Sequence, residues 1–218
     1  MKIAVLTKAI PSYESSIRVD SSGSWIDESV VNFVVNESDS FALEEALQIK
    51  ENVGGDSEVV VVTLGSEANT SKVIKDGLAK GADRGIFIKN ESTTTDPLTV
   101  AKIFADNLKP ENFDLILSGL QSDDMGSGQT GVLIGELLDM STATLAIETQ
   151  VEGDKIKVKR ELESGWFQWV TLPFPSSISI QSGINEPRYP SLKGIMGCLL
   201  YTSPSPRDMR RSRMPSSA

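Results

Sequence analysis

The sequence contains no histidine. That removes the commonest general base and the commonest metal ligand, so hydrolase and metalloenzyme chemistry lose their usual carriers. No catalytic residue and no metal site are expected. There is one cysteine, Cys198. No apolar run reaches the length of a membrane span, and membrane insertion is not expected. The N-terminus "MKIAVLTKAI" enters a strand-like run directly and lacks the apolar core and cleavage pattern of a signal peptide, so a cytoplasmic protein is expected. Positive charge is also short. The formal net charge is −9, which argues against a partner with a phosphate backbone, so nucleic acid is not expected.

What is present falls into two parts. From Cys198 onward the chain reads "CLLYTSPSPRDMRRSRMPSSA", where periodicity stops and Ser, Pro and Arg take over. Back-translated, "CLLYTSPSPRD" and "SRMPSSA" resemble the two ends of a common transposase-library sequencing adapter. Residues 198–218 are therefore expected to be a non-native, disordered tail. Residues 1–197 are expected to be a single α/β nucleotide-binding domain, truncated at its C-terminus. Cys198 leaves with the tail, and thiol chemistry leaves with it.

In the remainder, "KIAVLTK" (2–8) reads as a buried strand. Residues 15–36 alternate around Ser-Ser-Gly, as a hairpin excursion would. Residues 39–55 read as a helix capped by Asp39 or Ser40 and ended by Gly54 and Gly55. The β-branched run 57–65 reads as a strand buried on both faces. A helix (66–81), a strand (84–88), a helix (96–108) with Asp96 capping and Pro97 in the first turn, a strand (113–119) and a helix (128–140) follow. Period-two runs at 144–151, 155–162, 166–172 and 176–181 predict further strands. Strand and helix alternate through residue 140. The expected class is α/β, a parallel sheet with helices on both faces, and additional strands that extend it or form a hairpin beside it.

"LSGLQSDDMGSGQTG" (117–131) contains a literal G-x-G-x-x-G at Gly126, Gly128 and Gly131. A dinucleotide fingerprint belongs after the first strand, and this match follows the fourth, so an NAD site is not expected. A phosphate cradle at a helix N-terminus and a merely flexible loop both fit the spacing. "VVNESDSFALEEA" places Asn36, Glu37, Ser38 and Asp39 before another helix. Ordinary capping explains it alone, but both segments open helices at one sheet edge and together would flank a ligand.

"MKIAVLTKAIPSY", "NESDSFALEEALQIKE", "LAKGADRGIFI", "SGLQSDDMGSGQTG", "VKRELESGWFQWVTLP" and "INEPRYPSLKGIM" occur in this order. They resemble the β subunit of electron transfer flavoprotein, in particular the type serving methylotrophic amine dehydrogenases. The resemblance covers Met1 to about Gly197. It implies a Rossmann-like fold of the adenine nucleotide α-hydrolase type. It implies a heterodimer with an α subunit that holds most of a redox FAD, and a structural AMP in the β subunit. In bifurcating relatives a second FAD replaces the AMP.

Carried over position by position, the resemblance implies AMP contacts at Leu6, at Asn36, Glu37, Ser38 and Asp39, and at Leu64. It implies further contacts at Asp124, Met125, Gly126, Ser127, Gly128, Gln129, Thr130, Gly131, Val132, Leu133, Ile134 and Gly135. Tyr13 matches an aromatic position near the partner's flavin, and Leu192 the leucine that anchors client dehydrogenases. Glu37 departs from the family's usual Asn-Pro pattern and is expected to face ribose, base or solvent. An ATP-using enzyme of the nucleotide α-hydrolase group is disfavoured, because "KAIPSY" stands where its Ser-Gly-Gly-x-Asp-Ser loop belongs. Trp166, Phe167 and Trp169 are expected to cover a sheet, Lys157, Lys159 and Arg160 to be a solvated strand face, and Arg188 to be structural.

Overall fold

A computed structural model describes residues 1–90, 92, 96–192 and 194–196. The tail expected at 198–218 lies outside the described residues. In chain order the elements are β1 (Lys2–Thr7), β2 (Ala9–Pro11), β3 (Phe33–Val35), α1 (Glu37–Val53), β4 (Glu58–Gly65), α2 (Glu67–Lys80), β5 (Arg84–Lys89), α3 (Pro97–Leu108), β6 (Leu115–Gly119), α4 (Thr130–Leu137), β7 (Ser141–Glu152), β8 (Lys155–Glu161), β9 (Phe167–Pro173) and β10 (Ser176–Ile180). Eight strands form one sheet in the order β5-β4-β1-β6-β10-β7-β8-β9. All pairings from β5 through β7 are parallel, and β7–β8–β9 is an antiparallel extension. The expected α/β class is observed, with the late strands extending the sheet.

The β-branched runs are explained by burial on both faces. Ile3, Val5, Val59, Val61, Leu115 and Leu117 point into a core closed by Ala42, Leu43, Ala46 and Leu47 of α1. Their neighbours Ala4, Leu6, Val60, Val62 and Ile116 point the other way, against Ala101, Phe104 and Leu108 of α3 and Ile134 of α4. Neither face can carry a polar residue cheaply, so the strands read as continuous apolar runs. α2 also lies on the first face, where a side chain at Gly77 would drive into the methyls of Val61.

Two expectations are corrected in the first forty residues. The segment 15–36 is not a continuous hairpin. Its ladder is a single bridge, Val19 to Ile26, and the regular pair is β2 with β3. α1 starts two residues earlier than read, with Asn36 at the N-cap position and Glu37 as its first residue. Asp39 does not cap, because its carboxylate is taken by the backbone N–H groups of Lys8, just after β1, and Gly119, at the end of β6.

The tryptophans end up differently from a covered sheet. Val170 and Leu172 of β9 pack on the first core, but Phe167 and Trp169 face outward and are exposed, as is Trp166. The ammonium of Lys159 stacks 4.3 Å from the Phe167 ring centre and that of Lys157 4.8 Å from Trp169. Lys157 and Lys159 share their outward face with these aromatics, but Arg160 does not: its guanidinium turns to β7 and donates to the Thr144 carbonyl and hydroxyl, both at 2.9 Å, so the expected solvated face is corrected at that residue. Arg188 is structural, as expected. Its guanidinium binds Glu44 at 2.8 Å and Glu51 at 2.6 Å, tying the segment after β10 along α1. Burial pushes the Glu44 carboxyl up, but hydrogen bonds from Arg188 and Gln48 outweigh it and hold it below its ordinary value. Among the described residues no helix is long and apolar enough to cross a membrane.

Candidate nucleotide-binding cleft

β1 and β6 are neighbours, yet the chain leaves β1 toward α1 on one face and leaves β6 toward α4 on the other. That divergence opens a crevice at the carboxyl ends of the two strands, the place where open α/β sheets bind ligands. A cleft of about 750 Å³ lies there. This is within the range of small-molecule sites.

One wall is the β6–α4 loop. Gly126 and Gly128 both adopt left-handed backbone, φ +63° and +62°. Glycine takes this conformation without the Cβ penalty. The loop then enters α4 at Thr130, with Gly131 seated so closely on Ser118 that a side chain there would strike its hydroxyl. The N-terminal end of α4 directs unpaired N–H groups and a positive dipole end at the crevice. Ser127, Gln129 and Thr130 add side-chain donors along the same wall. This is a chemistry for a phosphate group.

A second wall is apolar and lies on the α3 side of the sheet: Leu6 of β1 and Leu64 of β4 line it with Val100 and Phe104 of α3, and this surface suits a base. The third side is where the chain enters α1. Asn36 and Asp39 also reach the cleft. Asn36 is 1 % exposed. Its Nδ2 donates to the Gln121 carbonyl and its Oδ1 accepts the Asp123 N–H, both at 3.0 Å. Asp39 accepts the Lys8 N–H at 2.8 Å and the Gly119 N–H at 3.1 Å. Burial pushes its carboxyl up to about 7 despite these bonds.

Two acids stand beside this loop, and each has a partner. Asp124 is paired with the Lys8 ammonium at 2.6 Å. Asp123 is hydrogen-bonded by the Tyr13 hydroxyl, a contact that raises the tyrosine pKa. Tyr13 stands at the cleft mouth and is 79 % exposed.

Of the residues singled out in the sequence, Leu6, Tyr13, Asn36, Asp39 and Leu64 line the cleft. So do Asp124, Met125, Ser127, Gly128, Gln129, Thr130 and Gly131. Others lie outside its wall. Glu37 is exposed to solvent, and Ser38 is buried beside Gly119. Gly126 shapes the loop without lining it. Val132 is partly exposed, Leu133 and Ile134 turn into the second core, and Gly135 abuts Thr142 and Ser177. The first turn of α4 serves the cleft and the next serves packing. Leu192 is elsewhere: it is 83 % exposed, next to Ser191, whose N–H bonds the Ala79 carbonyl at the end of α2.

Sequence reading missed Lys8 and the α3 residues. Lys8 was legible as the residue at the carboxyl end of the first strand, where a switch point would place it. Val100 and Phe104 read only as core.

A family model for the electron transfer flavoprotein domain matches residues 24–198. The electron transfer flavoprotein subunit beta of Bradyrhizobium diazoefficiens is 43 % identical over 196 residues, covering 90 % of this chain and 77 % of that protein. The subunit of the same name from Methylophilus methylotrophus is 36 % identical, over 89 % of this chain and 75 % of its own length. That of Homo sapiens is 34 % identical, over 90 % and 77 %. At this identity and coverage, the chain belongs to the family of electron transfer flavoprotein β subunits.

Proposed function

We propose that this β subunit binds an adenosine monophosphate in the β1/β6 cleft and pairs with an α subunit that holds most of a redox FAD. The observation that carries the reading is the left-handed Gly126–Gly128 turn leading into α4 at the sheet's switch point. The residues fit the nucleotide. Backbone N–H groups of the loop and the Ser127, Gln129 and Thr130 side chains would hold the phosphate, and Leu6 and Leu64 would hold the base. Asp124 does not oppose the anion, because Lys8 already neutralises it. The AMP would be structural, adding stability only to the folded state that binds it.

FAD, when bound, supplies the redox chemistry, and the protein supplies position and electrostatics. On this chain Tyr13 is the aromatic offered outward at the cleft mouth, where it would meet a flavin held by the partner. Leu192, exposed at the opposite end of α2, would dock client dehydrogenases. The two functions are thus served by separate surfaces. The acidic stretch before Leu43-Glu44-Glu45-Ala46 supports a client of the methylotrophic amine dehydrogenase type.

Co-expression with the α subunit tests the reading. The expected result is about one FAD and about one AMP per heterodimer, with the flavin reduced on addition of a client dehydrogenase and its substrate. Two FAD and no AMP would replace the reading with a bifurcating type. A heterodimer with no adenine nucleotide beyond the one FAD would overturn the cleft assignment.

A further inference from the structure

The β6–α4 loop has two halves. The glycine half, 126–131, forms the cradle. The first half, 120–125, is tied across the switch point to the β1–α1 side. Lys8 Nζ donates to Ser122 Oγ at 3.1 Å and to Asp124 at 2.6 Å. Asn36 spans the Gln121 carbonyl and the Asp123 N–H. Asp39 takes the N–H of Gly119, where the loop leaves the sheet, and the N–H of Lys8, the residue that makes the next tie. The Gly126 N–H in turn bonds the Ser122 carbonyl at 2.8 Å, joining the tied half to the cradle. Both Asp39 oxygens and both polar ends of Asn36 are already engaged.

We propose that Lys8, Asn36 and Asp39 are positioning residues: they clasp the first half of the β6–α4 loop to the β1–α1 side and thereby hold its glycine half in nucleotide-binding form. This rests on the nucleotide reading of the cleft. The rival is that Lys8 is a phosphate ligand and Asp124 its competitor. The two differ in sign at Asp124. If Lys8 serves the clasp, losing Asp124 loosens the loop and weakens binding. If Lys8 serves the phosphate, losing Asp124 frees the cation and tightens binding.

The test uses the full chain with its α subunit, stripped of AMP and titrated with AMP and with adenosine. Lys8→Met and Asp124→Asn should each weaken AMP about threefold to fivefold, the scale of one partly exposed ion pair. The double variant should be no weaker than the worse single one, because both remove the same tie. Lys8→Arg should restore most of the affinity. Asn36→Ala, which removes two buried bonds, should cost about tenfold or more.

Hydrogen exchange of the nucleotide-free protein supplies a reading that needs no ligand. The amides of Gly119, Asp123 and Gly126 should exchange faster in Lys8→Met and Asn36→Ala than in wild type. Tighter AMP binding by Asp124→Asn, or unchanged exchange at these amides, would overturn the clasp. Wild-type protein that binds no AMP would overturn the nucleotide reading itself. Accelerated exchange would then leave the clasp as a loop tie with no nucleotide role, so the two failures are distinguishable.

Discussion

Gly128→Val separates a phosphate cradle from a flexible loop. Gly128 sits at φ +62°, and a Cβ there would find only ordinary contacts, the nearest being the Leu120 carbonyl oxygen at 3.5 Å. The perturbation is therefore conformational, with no steric clash to spread into the sheet. A β-branched residue in left-handed backbone costs about 1–3 kcal/mol. The loop can relieve that strain by leaving the conformation, which turns its N–H groups off the anion. Each charge-assisted bond lost is worth about 1.5–3 kcal/mol, or roughly tenfold to a hundredfold in affinity.

Gly54→Ala is the matched control. Gly54 also has positive φ, +66°, with no neighbour within 4 Å, but it ends α1 far from the cleft. Both variants should lower Tm by a few degrees, since about 1 kcal/mol shifts a domain of this size by roughly 2–4 °C. Only Gly128→Val should lose AMP, measured by acid extraction and chromatography after gel filtration. Gly128→Asn should retain it, because asparagine tolerates left-handed backbone. Equal AMP content and equal AMP dependence of melting in Gly128→Val and Gly54→Ala would refute the cradle.

Three further outcomes are expected from the packing around Asp39, Arg188 and Gly119. Asp39 has a folded pKa of about 7, raised by burial from its ordinary value near 3.8. A raised pKa means its contribution to stability is full below about pH 4 and is lost as pH rises through 7. Asp39→Asn should therefore gain on wild type between pH 4 and 8 in urea melts, by an amount on the order of 4 kcal/mol at most. A constant difference across that range would contradict the assignment. Arg188→Ala should destabilise by about 2–3 kcal/mol in chemical unfolding, because it strands the buried Glu44 carboxylate. Arg188→Ala with Glu44→Gln should recover part of that loss. Gly119→Ala should lower Tm sharply, since its Cβ would lie 2.5 Å from Asp39 Oδ1 and 2.7 Å from the Ser38 carbonyl carbon. A wild-type Tm there would mean α1 and β6 are not in contact as described.

Much of the fold was legible because parallel strands buried on both faces write themselves as β-branched runs, as "EVVVV" at 58–62 does. Asp96 and Pro97 marked the start of α3 for a local reason, a side chain that accepts the Thr99 N–H. The position of β10 was not legible. It inserts between β6 and β7 although three strands separate it from β6 in sequence, and strand order is not encoded in periodicity. Its "SSISI" conceals the burial of Ser176, Ser177 and Ser179. The glycine loop could be found from spacing. The roles of Asn36 and Asp39 could not, because both look like caps locally, and their partners lie 80 to 87 residues away. The position of Lys8 was legible, but its tie to Asp124, 116 residues away, was not.

The location of the nucleotide is the most direct test. The heterodimer, stripped and reloaded with a photoreactive 8-azido analogue of AMP, is irradiated, digested and sequenced by mass spectrometry. The account predicts that label falls on cleft peptides carrying Leu6, Leu64 or Val100–Phe104, where the base would lie, and that unlabelled AMP suppresses it. Suppressible label confined to peptides outside the β1/β6 cleft would contradict it.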